Sequence, residues 1–365
     1  MRRNDPPKFS VALATYNGER FLAEQLESLA QQTLLPTELV VVDDRSSDST
    51  VRILQDFAAT APFPVRIYEN EVNRGFEETF FRAMGECEGE WVACCDQDDR
   101  WLPGKLSRYA QTIRSHPQVV FVSHSADQVD INLKPLGSRV PNHPVSRIVG
   151  PLENTPLVVY EGFTCCVRRS LLSRMPIDER PRGPRSPRNP NYTRRQSHDR
   201  FIYHVANTYG QTALIAESLA LYRRHSNAVT GTQGTGVKAR GIWAKLRSAR
   251  YAQADGFHHM ADQARQHREF YSLVARRSSG EPADDFEART LAAIGYYGVV
   301  ERYYARRAVV YEKMSSLGTR IRAFVGAWKM GVRSGKGITK GLGAKSAAKD
   351  LAHVLVPWSK WHSSV

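Results

Sequence analysis

Trp91-Val92-Ala93-Cys94-Cys95-Asp96-Gln97-Asp98-Asp99-Arg100-Trp101 decides the reading of this chain. Five apolar residues in a row describe a buried strand, and that strand stops in three carboxylates within four residues. Like charges crowded at the end of a buried element repel one another and resist desolvation. A divalent cation relieves such an arrangement, because hard cations such as Mg²⁺ prefer carboxylate oxygens together with substrate phosphates. In that reading Trp101 walls the pocket. The plainer alternative is a solvated acidic turn capping a helix that starts near Leu102. A calcium loop is excluded by spacing, since Arg100 and Trp101 stand where the D-x-D-x-D-G pattern needs an acid and a glycine.

Working back towards the N-terminus, the same construction recurs. Phe9 to Thr15 reads as a buried strand ending in Tyr16-Asn17-Gly18-Glu19, followed by a helix with Leu22, Leu26, Leu29 and Ala30 on one face. Glu38 to Val42 is a second strand, ending in Asp43-Asp44-Arg45-Ser46-Ser47-Asp48-Ser49-Thr50. That cluster is rich in helix-capping residues, and Val51, Leu54 and Ala58 follow at helical spacing. Val65 to Tyr68 is a third strand, leading through Asn73-Arg74-Gly75 into a helix that runs through Met84. Strands alternating with helices predict an α/β fold, a mainly parallel sheet with helices on both faces. Ligands of such sheets bind outside the carboxyl ends of the strands, where every one of these polar clusters lies.

Competing nucleotide folds fail on the same residues. No G-x-G-x-x-G follows the first strand, and no G-x-x-x-x-G-K-[ST] occurs anywhere. A sugar-nucleotidyl transferase would show a Gly-rich loop with Arg after the first strand, and none is present.

Taken together, Thr15 to Glu19, Asp43 to Thr50, Asn73-Arg74-Gly75 and Asp96 to Trp101 resemble the successive signatures of inverting glycosyltransferases with the GT-A fold, the family 2 group. Ser197-His198-Asp199 and Tyr222 to Gly231 are similar to the bacterial rhamnosyltransferase-like branch. The resemblance spans residues 8 to about 231 and implies a role for each matching position. Thr15, Tyr16, Asn17, Glu19 and Asp44 would line the base and ribose of a nucleoside diphosphate sugar, with Arg74 near its phosphates. Asp96 would serve both the nucleotide sugar and the metal. Asp96 and Asp98, with His225 closing the site, would hold Mg²⁺ or Mn²⁺ on the diphosphate. Asp99, Trp101 and Gly162 would orient the acceptor or the sugar. Asp199, which by itself reads as a helix N-terminal acid favoured by the macrodipole, would be the general base. The favoured donor is dTDP-L-rhamnose, with a UDP-hexose as alternative, and the acceptor would be a glycan or lipid-linked sugar of a cell-envelope polysaccharide.

Charge divides the chain. Residues 1–236 hold 28 Lys and Arg against 27 Asp and Glu, whereas residues 237–365 hold 23 against 10. The expected organisation is therefore a GT-A catalytic domain over 1–236 and a helical basic extension over 237–365. Five cysteines, four in adjacent pairs, suit buried thiols in a reducing cytoplasm. No secretory signal and no apolar run of spanning length is visible. Arg180 to Arg195, with six Arg and four Pro, reads as a surface loop or a lid over diphosphates. In the extension, Phe257, Met260, Ala264, Leu291, Ile294, Tyr297 and Val300 are core candidates of two helices. Met314, Leu317, Ile321, Phe324, Trp328 and Val332 follow a three-four spacing, with Arg320, Lys329 and Arg333 among them. That pattern fits a basic helix on an anionic membrane surface, with Lys336, Lys340, Lys345, Lys349, Trp358 and Trp361 extending it. A helix packed on the catalytic domain fits it too. The expected location is cytoplasmic, peripheral at the inner face of the plasma membrane. A different class of function, nucleic-acid binding through the basic tail, lacks any recognised module, so no nucleic-acid partner is expected.

Overall fold

The computed structural model describes residues 5–154, 160–183, 195–225, 242–277, 285–312, 315–334, 350, 351 and 354. The chain divides into two compact units. One comprises Met1–Pro151, Val159–Met175 and Ser197–Gly231; the other comprises Leu152–Val158, Pro176–Gln196 and Thr232–Val365.

The first unit is built on a sheet that starts with β1 (Phe9–Thr15), β2 (Glu38–Asp43), β3 (Val65–Glu69) and β4 (Trp91–Cys95), all parallel, in spatial order β3-β2-β1-β4. β2 and β4 are buried at every position, as near-continuous apolar strands covered on both faces must be. The connecting helices are α1 (Leu22–Ala30), α2 (Thr50–Ala58) and α3 (Phe76–Glu86). Leu22, Leu26 and Leu29 of α1 are buried in one core with Phe9, Val11, Leu13 and Trp91. Truncating one of these, for example Leu13→Ala, costs about 2–5 kcal/mol.

Register is what makes a site of this sheet. Thr15 lies opposite Asp43, Asp43 opposite Glu69, and Leu13 opposite Cys95. The four carboxyl ends are therefore side by side, and the polar clusters that follow them share one edge of the sheet.

The second half of the unit adds β5 (Arg100–Trp101), α4 (Lys105–Ser115), β6 (Val119–Val129), β7 (Pro135–Arg139), β8 (Arg147–Val149), β9 (Cys165–Arg168), α5 (Arg169–Leu172), α6 (His198–Tyr209) and β10 (Gln211–Arg223). β9 runs antiparallel between β4 and β6, and β10 lies parallel to β6. The helix expected near Leu102 starts three residues later, at Lys105. Arg100 and Trp101 first pair with Leu221 and Ala220 of β10. All five cysteines are free and buried, and burial pushes the Cys87 thiol up to about 12.

The second unit holds the helices α7 (Ile242–Arg277), α8 (Asp285–Tyr311) and α9 (Leu317–Ser334), with an antiparallel bridge between Arg182 and Arg195. α7 runs against α8, with His267 stacked on Tyr297 at 4.9 Å, Phe257 tilted against Tyr311 at 5.4 Å, and Arg268 bonded to Glu301 at 2.9 Å. Of the expected core positions, Ala264, Tyr297 and Val300 are buried, whereas Leu291 faces solvent. The base of the Arg-rich segment is tied to α7: the Arg182 amide donates to Gln266 at 2.8 Å, and Gln263 donates to the Arg182 carbonyl at 3.1 Å. Residues 184–194 lie outside the described residues, as do Met314, the side chains of Val332 and Arg333, and Lys336, Lys340, Lys345, Lys349, Trp358 and Trp361.

Candidate active site

β4 ends at Cys95 and presents Asp96, Asp98 and Asp99, which each offer a carboxylate oxygen, all within 4.8 Å of one another. Asp99 is fully buried. Its Oδ1 accepts from the Arg223 amide at 3.0 Å, while its Oδ2 has no hydrogen-bond partner among the described residues. A buried carboxylate oxygen without a donor is destabilising, and a hard cation would supply what it lacks. Burial, then the neighbouring Asp98 and Asp199 charges, push Asp96 up to about 8. Asp99 is driven up by burial and by Asp98 and Asp96. The donor set thus fits a divalent cation.

The far end of β10 completes the cluster. Pairing of β5 with β10 carries Arg223 and His225 back over the acidic motif. His225 Nε2 lies 2.8 Å from Asp98 Oδ2, and its ring rests 5.0 Å from that of Phe21. The buried Arg223 guanidinium donates to the carbonyls of Asp98 at 2.9 Å and Ile131 at 2.7 Å, and to Glu24 at 2.5 Å. Behind the motif, the fully buried Lys105 places Nζ 3.4 Å from the Trp101 ring centroid and donates to the Phe163 carbonyl at 2.7 Å. Burial pulls Lys105 down to about 7 against the raising influence of Cys95 and Asp99. Trp101 is 1% exposed. It backs the carboxylates from the core instead of lining a surface.

Beside the carboxylates, the turn after β1 is held rigidly. Gln97 receives the Tyr16 amide at 2.9 Å and donates to the Tyr16 carbonyl at 3.0 Å, which clamps the turn to the acidic motif. Asn17 sits at φ 46 and accepts from the Ser47 amide at 2.9 Å, a left-handed position that Asn tolerates. Glu19 accepts from the Ser49 amide at 2.9 Å, and Thr15 donates to Asp43 at 2.7 Å. Tyr16 is half exposed and Arg74 is exposed, so both side chains are open to a ligand. Asp44 is different. Its oxygens accept from Asn70 at 2.7 Å and from the Arg74 and Gly75 amides at 2.8 Å, so it organises the turn before α3.

A second element near the motif, α6, begins at His198 and carries Asp199 in its first turn. Asp199 Oδ1 accepts from the Ser197 hydroxyl and from the Arg200 amide, the latter at 2.6 Å, which fixes the carboxylate. The charge of Asp199 reaches Asp96 and also Glu161, whose carboxyl is pushed up first by burial. His198 stacks on Phe80 at 3.8 Å and presses against Gly162, where a Cβ would collide with His198 Nε2. Gly162 thus acts on the position of α6.

The structure brings Asp96, Asp98, Asp99, His225 and Asp199 into one electrostatic neighbourhood, with Thr15, Tyr16, Asn17 and Glu19 in the adjoining turn. Sequence reasoning missed Gln97, Lys105, Glu161 and Arg223. Gln97 lies within the acidic motif itself, and Arg223 within the Tyr222 to Gly231 segment. Lys105 and Glu161 carried no signal at all.

Residues 10–180 match the family model described as glycosyl transferase family 2. The Mycobacterium tuberculosis protein Rv1520 is 25% identical over 279 residues, covering 74% of this chain and 72% of its own length. The uncharacterized glycosyltransferase YwdF of Bacillus subtilis is 32% identical over 140 residues, 38% of this chain and 48% of that protein. Among solved structures, S. aureus TarS 1–349 in complex with UDP-GlcNAc is 19% identical with a TM-score of 0.49, covering 90% of this chain and 92% of that one.

Proposed function

We propose, from the premise that residues 10–180 are a glycosyl transferase family 2 domain with the GT-A fold, that this chain is an inverting, metal-dependent glycosyltransferase using a nucleoside diphosphate sugar. The observation that carries the reading is the cluster of three carboxylates, one with an unsatisfied buried oxygen, within the electrostatic reach of Asp199 at the start of α6.

Each group then has a task. Asp96 and Asp98, with Asp99 behind them and His225 on Asp98, would hold Mg²⁺ or Mn²⁺, and the bound cation supplies positive charge against the diphosphate. Thr15, Tyr16, Asn17, Glu19 and Arg74 take the nucleotide, with Asp44 shaping that wall through its hold on Asn70 and Arg74. Asp199 accepts the proton of the acceptor hydroxyl as its oxygen attacks the anomeric carbon. The bond to the diphosphate oxygen breaks in the same displacement, its electron pair leaves with the diphosphate, and the anomeric centre inverts. Trp101 and Lys105 hold the carboxylates from behind, and Gly162 lets α6 approach.

The donor in this reading is dTDP-L-rhamnose, ahead of a UDP-hexose. The acceptor is a glycan or lipid-linked sugar of the cell envelope, met at the cytoplasmic face of a membrane. The test is incubation of the purified chain with dTDP-L-rhamnose or UDP-glucose, with and without Mn²⁺, following nucleoside diphosphate release. Metal-dependent release from one donor supports the reading; no release from either, with or without a mixed glycan acceptor pool, contradicts it.

A further inference from the structure

We propose that the outward face of α9 docks this protein on the surface of an anionic membrane. The inference extends the proposed function by assigning the attaching surface, and it rests on the chemistry of α9 independently of the transfer reaction.

α9 has two faces. One packs inward: Ala323 and Phe324 rest on Val310, Tyr311 and Val354, Ala327 is buried, and Arg306 donates to the Gly326 carbonyl at 3.3 Å. An adjoining face leaves Leu317 51%, Ile321 42%, Val325 36% and Trp328 57% exposed. At 100° per residue these four fall within one narrow stripe. Arg322 and Lys329, both exposed, border that stripe on one side. A row of large apolar side chains left in water beside cations is the form of a helix that lies in a lipid interface, its apolar stripe at the acyl boundary and its cations at anionic headgroups.

The surrounding charge selects the occupant. Residues 315–365 hold nine Lys and Arg and one acid, Asp350. That acid is buried, bonded to Arg307 at 2.8 Å and to the Tyr311 hydroxyl at 2.5 Å, and Arg320 is buried as well, which leaves Arg322 and Lys329 as the exposed charges among the described residues of α9. A second copy of the chain would set this cationic stretch against itself, whereas an anionic bilayer complements it. No described helix is long and apolar enough to cross a membrane.

The test is sedimentation of the full chain with vesicles of phosphatidylcholine alone and of equal parts phosphatidylcholine and phosphatidylglycerol. The expected result is binding to the anionic vesicles that weakens with salt. Ile321→Ser with Trp328→Ser is expected to lower the partition constant about tenfold or more. Arg322→Gln with Lys329→Gln is expected to lower it by about fivefold per charge on anionic vesicles only. Leu291→Ser, which alters an exposed residue on α8, is expected to leave it unchanged. Equal binding to neutral and anionic vesicles, or undiminished binding by both double variants, overturns the proposal. So does a concentration-dependent dimer that the Ile321/Trp328 variant dissolves, without vesicle binding. Donor consumption is measured in parallel. Vesicle binding without donor consumption would count against the transfer reaction and leave the docking surface standing.

Discussion

His225 Nε2 lies 2.8 Å from Asp98 Oδ2, across 127 positions of sequence. That contact exists because a two-residue strand, Arg100–Trp101, pairs with the end of β10 and lays Arg223 and His225 along the acidic motif. The cluster is therefore closed by the last strand of the sheet, and its geometry depends on the whole first unit being folded.

Arg223 is the clasp of that closure. Arg223→Met removes donors from the Asp98 and Ile131 carbonyls, and is expected to cost about 2 kcal/mol of stability. The Glu24 end of the pair is partly open to solvent and adds little. Denaturant unfolding measures the loss. Metal affinity by titration calorimetry should fall with it, and an unchanged affinity would separate Arg223 from the site.

Asp199→Asn keeps the shape of the first turn of α6 but removes the proposed proton acceptor. Donor binding by calorimetry should be unchanged, while transfer should fall by about 10²–10⁴-fold. A variant that transfers at the wild-type rate removes Asp199 from the chemistry.

Asp96 gives a pH signature. Its carboxyl is raised by burial, then by Asp98 and Asp199, from the ordinary 3.8 to about 8, so the metal-free folded protein keeps a proton that the unfolded chain releases. Between about pH 4 and 8 the folded state binds more protons at this group, and its contribution to stability falls as pH rises. Asp96→Asn abolishes that term. The melting temperature of the variant relative to wild type should therefore climb across this window. His124 and His143, both pulled down by burial, act oppositely, but they are common to both proteins and cancel. A difference that stays flat from pH 4 to 8 would show that Asp96 is ionised throughout.

Gly162→Ala places a methyl group against the His198 ring, which is pinned by Phe80. The start of α6 must shift, and displacement of the proposed base Asp199 would cost about 10²-fold in rate. Transfer should drop more than donor affinity does. Equal losses in both would indicate general destabilisation.

The parallel half of the sheet was legible because each strand is an apolar run ended by a polar cluster, and the expected bounds of Trp91–Cys95 and Phe9–Thr15 match the structure. What escaped has a physical reason in each case. Arg100–Trp101 is too short to show periodicity and exists only through β10. Lys105 reads as an ordinary first-turn lysine, since nothing local reveals that its ammonium is buried against Trp101. Asp44 was expected to face a nucleotide base, yet its oxygens hold Asn70, Arg74 and Gly75, a commitment that only tertiary contact discloses. In the second unit the three-four spacing located α9, but spacing is silent on which way a stripe faces, and Leu317, Ile321 and Trp328 face out.

The edge formed by Thr15, Asp43 and the Asp96–Asp99 motif is proposed to bind a nucleoside diphosphate together with a divalent cation. The most direct measurement is a thermal-shift comparison of dTDP, UDP and GDP, each with and without Mn²⁺, on the wild type and on Asp98→Asn. A ligand that binds only the folded state must raise the melting temperature by mass action. Stabilisation by dTDP or UDP is expected, and it should need Mn²⁺ and disappear in Asp98→Asn. Folded wild-type protein that no nucleotide stabilises, with or without Mn²⁺, would contradict it.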